Sequence, residues 1–138
     1  KNLYKPVHQK HPCTLWAMET MANFNFAFNL YADMLWEYED RYHKTHGASK
    51  HYHSILAGRK YLPQGKLTKH PQCFSGMDEL KTDEFYPVKA YRAFYIADKA
   101  RFARYRYTQQ PTWMKGVAMV QGECFSIITI NYNVCFTT

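Results

Sequence analysis

An all-α single domain, a compact helical bundle, is the fold class this chain predicts. Three observations carry that reading. An apolar stripe at three-and-four spacing runs through residues 12–47, a shorter helical stretch covers SKHYHSILAGR, and a second clear helix spans residues 83–107. With 138 residues, the folded chain can bury roughly two thirds of the surface its unfolded form exposes. The hydrophobic share of 46% supports a packed core without disulfide or metal staples.

Residues 1–11 form an extended entry punctuated by Pro6 and Pro12. Pro12 suits the first position of a helix, where its missing N–H costs nothing. Phe24, Ala27, Phe28, Tyr31, Met34, Leu35, Tyr38 and Tyr42 make the stripe, and Asn25, Asn29, Asp33, Glu37 and Asp40 fall mostly off it. A break near Glu19 to Asn23 would divide this run into two helices. His43, Lys44 and His46 place cations at its negative end, and Gly47 is the expected C-cap. Residues 63–82, with Pro63, Gly65, Pro71 and Gly76 and no clear period, read as a long ordered loop with a functional part to play. The helix over 83–107 has Pro87 near its start and Asp83 and Glu84 at the positive end of its dipole. Residues 108–116 form a turn anchored by Trp113.

The helical domain is expected to end at residue 116. Residues 117–138 carry one charged side chain, Glu123, and CFSIITINY favours a strand. A lone strand has nothing to pair with in a helical domain, so this tail is read as foreign to the fold. Its deletion is expected to leave the thermal midpoint unchanged or raised, because a weakly charged segment of high β-propensity promotes aggregation. A loss of several degrees would mark it as an integral strand.

Eighteen Lys and Arg stand against eleven Asp and Glu, a formal charge of +7. With an aromatic share of 17% that includes 12 Tyr, this balance fits a polyanion: cations pair with phosphates and rings stack on bases. The four cysteines, Cys13, Cys73, Cys124 and Cys135, include no C-x-x-C pair, which argues against a disulfide framework or zinc ribbon and fits a reducing cytoplasm. No run of eighteen apolar residues reads as a membrane span. A nucleophile elbow, a glycine-rich phosphate loop, H-E-x-x-H and paired carboxylates are all absent from the sequence. The chain opens on KNLYKP without a Met, so it is expected to be a piece of a longer protein.

On a helical wheel Lys89, Arg92, Tyr95, Lys99 and Arg106 share one side of the last helix, with Arg101 and Arg104 flanking. Ala90, Tyr91, Phe94, Ala97, Phe102 and Tyr105 form the opposite, core-facing side. Spaced cations around a tyrosine suit a backbone-tracking surface, and a solvated charged face is the alternative. If the stripe lines a duplex, replacing Lys89, Arg92 and Lys99 by Ala flattens the salt slope of binding by about two to three units. HQKHPCTLWA, residues 8–17, poses a separate question. His8, His11 and Cys13 could supply two or three metal ligands, but no partner pair stands out, so no metal and no other cofactor are expected. The favoured reading is a loop-to-helix junction beside the substrate groove, with His8 and His11 near phosphates and Trp16 buried beneath; a purely packed entrance is the alternative.

Three stretches, LYKPVHQKHPCTLWA, the aromatic helix ending in YEDRYHKTH, and PVKAYRAFYIADKARFARY, resemble in that order the phage-type pyrimidine dimer DNA glycosylases, relatives of endonuclease V. The likeness covers roughly residues 3–114, and PTWMK at 111–115 is similar to the P-T-W-Y-K near the end of endonuclease V. It implies a monomeric DNA-repair glycosylase with AP-lyase activity on ultraviolet-damaged double-stranded DNA, in a phage-infected bacterial cytoplasm. It also implies Schiff-base attack by an N-terminal α-amine, assisted by a carboxylate. Family members begin with a further segment that holds an H-C-D-K-H-like motif and a Glu, which this chain lacks, so catalytic amine and carboxylate are expected upstream of Lys1. Two alternatives of other classes are a non-enzymatic phage nucleic-acid-binding module and a small zinc-stabilised interaction domain.

Overall fold

The structure, a computed structural model, describes residues 3–103, 105 and 107–115. Four α-helices, α1 (Pro12–Glu19), α2 (Met21–Tyr42), α3 (Tyr52–Gly58) and α4 (Val88–Phe94), are joined by 3-10 turns and extended chain. No strand occurs among the described residues, and the all-α class holds. The strand-like tail at 117–138 lies outside the described residues, as do Arg104 and Arg106.

The expected break in the first run falls at Thr20. Its extended backbone (φ −141°, ψ 158°) stops α1, and its hydroxyl accepts the Asn23 N–H at 3.1 Å, capping α2. The far end of α2 comes sooner than the sequence suggests. His43, in the left-handed region at φ 50°, returns its N–H to the Glu39 carbonyl, so the helix closes at Tyr42. Gly47 instead opens a 3-10 turn, Gly47–His51.

From that turn the chain runs back antiparallel along α2. Tyr31 Oη donates to the Ala48 carbonyl at 2.8 Å, Tyr52 meets Phe28 at 4.9 Å between ring centroids, and Met21 N–H donates to the Pro63 carbonyl at 2.8 Å. Residues 63–77 have no regular structure, yet their polar backbone groups find side-chain partners, as an ordered loop requires. Trp16 Nε1 donates to the Thr68 carbonyl, Tyr91 Oη accepts from Cys73 N–H and donates to Pro71 O, and Gln72 bonds both backbone groups of Thr82. The loop thereby ties α1, α2 and α4 together.

Gly65 allows this loop to approach the α1–α2 junction. A Cβ there would stand 2.7 Å from the Thr20 Cγ2, and Thr20 cannot turn away without giving up the cap on Asn23. Gly65→Ala is therefore expected to cost about 1–3 kcal/mol, read as a lower midpoint in urea; an unchanged midpoint would show that the loop yields freely.

The helix expected over 83–107 is shorter and irregular. Only Val88–Phe94 is α-helical; a π-helical turn, Tyr95–Lys99, and a 3-10 turn, Ala100–Phe102, follow. The π turn inserts an extra residue and re-phases the chain. Ala100 and Ala103 turn inward against Met114, while Ala97 and Phe102, placed on the core side by a straight wheel, are exposed. Tyr105 and Trp113 complete this small core, so Trp113 is the anchor the sequence predicts. Asp83 and Glu84 precede the helix and do not sit in its first turn.

Candidate functional site

At the junction of α1, α2 and the long loop, a polar network holds one carboxylate in place. Asn23 is fully buried; its two Nδ2 hydrogens serve Trp16 O at 2.8 Å and Thr68 Oγ1 at 2.7 Å, one of them shared with Glu19 Oε2 at 3.3 Å. Its Oδ1 accepts the Thr68 N–H at 2.9 Å. Thr68 Oγ1 in turn donates to Glu19 Oε2 at 2.9 Å. Two donors, one of them buried, therefore fix an exposed carboxylate at the protein surface, an unusual restraint for a residue in the last turn of a short helix.

Cations are concentrated in the stretch of chain that follows α2. Residues 42–77 contain Lys44, Lys50, Arg59, Lys60, Lys66 and Lys69 and no Asp or Glu. Because the chain runs back along α2, Arg59, Lys60 and Lys66 arrive at the Thr20 end, where Lys66 O accepts the Thr20 hydroxyl at 3.2 Å. All three are exposed and none forms an ion pair among the described residues. The sequence carries this signal in its long carboxylate-free stretch. Helical spacing does not reveal it, since these cations lie in turns and loop.

The predicted stripe does not assemble as one line. Lys89 is exposed and bonds Glu84 at 2.8 Å, which raises its pKa through that hydrogen bond and charge. Arg92 is half-buried over the Trp113 ring, 5.4 Å from its centroid. Lys99 pairs with Asp98 and reaches the ring of Phe94, which a straight wheel places on the core side. Asp98 also meets Arg101, and its carboxyl is held below the usual carboxylate range, chiefly by the bond from Lys99. Glu84 and Asp98 thus stand against three of the cations of this region, Lys89, Lys99 and Arg101. Tyr95 is half-buried, edge-on to Phe94, at the start of the π turn.

The histidine-rich entrance resolves into separate parts. His8 is exposed in the left-handed region at φ 52°, and its carbonyl accepts the His11 N–H. His11 is the α1 cap: its Nδ1 accepts the Cys13 N–H at 3.2 Å. Trp16 is buried, as expected, against His70 and Phe26. Cys13 meets Cys73 across the fold, Sγ to Sγ at 3.3 Å, and burial together with the second thiol pushes the Cys13 pKa up to about 12. His11, Cys13 and Cys73 bring one ligand atom each within 4.8 Å of one another. Cys73 is the partner that no local spacing could reveal.

His70 lies between Trp16, Phe26 and Tyr91, with Nδ1 buried and lacking a partner among the described residues. Burial holds its pKa below the ordinary 6.5, only partly opposed by the Pro71 backbone. The folded-state value is depressed, so its stabilising contribution is present above about pH 6.5. It is lost as pH falls from there through the folded-state pKa, because the unfolded chain takes up a proton that the folded chain resists. Urea midpoints at about pH 7.5 and 5.5 are expected to differ less in His70→Phe than in the parent; an equal difference would assign the effect to other groups.

Fold and site together define an all-α basic domain with a positioned carboxylate, and among the described residues no helix is long and apolar enough to cross a membrane. No protein-family model, curated protein or solved structure matches the chain.

Proposed function

We propose that this chain is the DNA-holding body of a repair glycosylase with AP-lyase activity, acting on pyrimidine dimers in double-stranded DNA by a Schiff-base route. The carrying observation is Glu19, fixed by Asn23 and Thr68 at the edge of a surface whose chain holds six cations and no carboxylate between residues 42 and 77. Phosphates on either side of a lesion would engage Arg59, Lys60 and Lys66, with Lys89, Arg92 and Lys99 as a further set. An amine that displaces the base at C1′ forms an N–C1′ bond as the base leaves; breaking C1′–O4′, with a proton to O4′, then turns this adduct into an iminium at C1′, and a carboxylate held there would balance its charge and carry protons. The reaction class itself comes from the resemblance of the three stretches to dimer glycosylases. His8 and His11 would lie near the backbone, and Trp16 would support the junction from beneath.

Borohydride reduction of the full-length protein, which would carry the amine expected upstream of Lys1, on dimer-containing duplex tests this reading. A covalent protein–DNA adduct is expected, absent on undamaged duplex. Glu19→Gln is expected to lower strand cleavage by about 100-fold or more, since positioned proton transfer contributes on that scale. The midpoint of unfolding should hardly move, because Gln retains an acceptor for Thr68 and Asn23. Tight binding without any adduct would reject the enzyme and leave a non-enzymatic nucleic-acid-binding module.

A further inference from the structure

We propose that His11, Cys13 and Cys73 form a zinc site with three protein ligands and a fourth position open to solvent. The sequence alone argues against a metal because H-x-x-H-x-C has no partner pair; the fold supplies the missing ligand from sixty residues away. The proposal stands apart from the DNA reading, since it rests on other residues and on metal content.

Geometry favours a metal over a disulfide. Ligands about 2.0–2.3 Å from a tetrahedral zinc stand about 3.4–3.8 Å from one another. The observed Sγ–Sγ separation is 3.3 Å, so the thiols need part by only about half an ångström. A disulfide would require them to close to about 2.04 Å, and it would have no use for the imidazole that stands within 4.8 Å of both. The donor set is one nitrogen and two sulfurs without a carboxylate, which selects zinc or another thiophilic ion over magnesium, calcium or manganese.

The ligands are also held in place before any ion arrives. Cys13 lies in the first turn of α1, and His11 is fixed at its cap, with its own N–H on His8 O. The Cys73 N–H is bonded to Tyr91 Oη at 2.9 Å, and the next residue, Phe74, is buried against Phe94. Binding releases both thiol protons, and the two thiolates cancel the charge of Zn2+, so a half-buried site holds no net charge. One ring nitrogen of His11 takes the ion; if it is Nδ1, the Cys13 N–H bonded there stands at the exposed start of the helix and can turn to water. The consequence is a cross-link between α1, which carries Glu19, and the loop that carries Lys66 and Thr68.

The test uses the full chain, reduced and freed of metal, titrated with Co2+ and then Zn2+. Expected are about one Co2+ per chain, thiolate-to-metal charge transfer with the intense visible bands of a tetrahedral site, and displacement by Zn2+. Zinc should also raise the thermal midpoint by several degrees and slow alkylation of Cys13 and Cys73 by about 10-fold or more. Cys73→Ser should abolish the spectrum, and Cys124→Ser with Cys135→Ser should leave it intact. If the Cys73 variant does not fold, His11→Ser decides: serine is a good helix cap, so the fold is kept while metal affinity drops by about 100-fold. The proposal is overturned if reduced protein takes up no Co2+ or Zn2+, if it binds only Cu+, if His11→Ser binds as tightly as the parent, or if the spectrum depends on Cys124 and Cys135.

Discussion

Asn23→Leu is expected to destabilise the fold by about 3–5 kcal/mol and to lower the thermal midpoint by about 10 °C or more. Leucine keeps the branched shape of asparagine and is no smaller, so the loss comes from polar groups and not from a cavity. Asn23 has no exposed surface, and its amide serves Trp16 O, Thr68 Oγ1, Thr68 N–H and Glu19. Removing it takes the Asn23 amide from the buried Trp16 carbonyl and from the half-buried Thr68 N–H, at a penalty of up to about 1–3 kcal/mol each. Thr68 then loses its hold on Glu19, and the loop from Pro63 to Cys73 loses its main attachment to α2. Calorimetry of the purified variant checks this. A shift under about 2 °C would mean that water replaces the amide, and that the network does not fix the Glu19 carboxylate.

Much of the helical outline is legible because periodicity and capping are local. Thr20 divides the first run where an extended residue with a hydroxyl can end one helix and cap the next, and the 49–59 stretch is helical with 3-10 ends. The misplaced ends have physical causes. His43 adopts the left-handed cap that composition assigns to Gly47, and a π turn re-phases the last helix, an event that no wheel at constant pitch can represent. Arg41, a cation at the end of the stripe, is buried beside Glu37 with its guanidinium over the Tyr105 ring, a setting created by the final segment. Site residues are less legible for the same reason. Asn23 reads as an ordinary helix polar residue until Thr68 is folded onto it, forty-five positions later. Cys13 and Cys73 look solitary until the loop crosses α1.

Replacing Arg59, Lys60 and Lys66 together by Ala is expected to weaken binding to a DNA duplex by about 100-fold at low salt and to flatten the log–log salt slope by about two to three units. Each exposed cation that meets a phosphate releases about 0.9 of a condensed counterion, and these three have no carboxylate partner among the described residues to lower that number. The triple replacement of Lys89, Arg92 and Lys99 should change the slope by only about one unit, less than the sequence implies. Glu84 already neutralises Lys89, Asp98 already neutralises Lys99, and Arg92 is half-buried over Trp113, whereas Lys60, over the exposed ring of Tyr61, is itself exposed. Damaged and undamaged duplex should lose affinity alike in either variant, because phosphate contacts carry no lesion information. Tyr95 offers a contrast within the same helix: if its ring stacks on a displaced base, Tyr95→Ala costs about 1–3 kcal/mol on damaged DNA only, and Tyr95→Phe very little. Fluorescence anisotropy over a range of salt concentrations separates these cases. Equal slopes for both triple variants and the parent would reduce both cationic sets to solvated surface. A larger change from the Lys89 set would move the duplex from the Glu19 junction to the last helix, and Glu19 would then have no claim on the sugar.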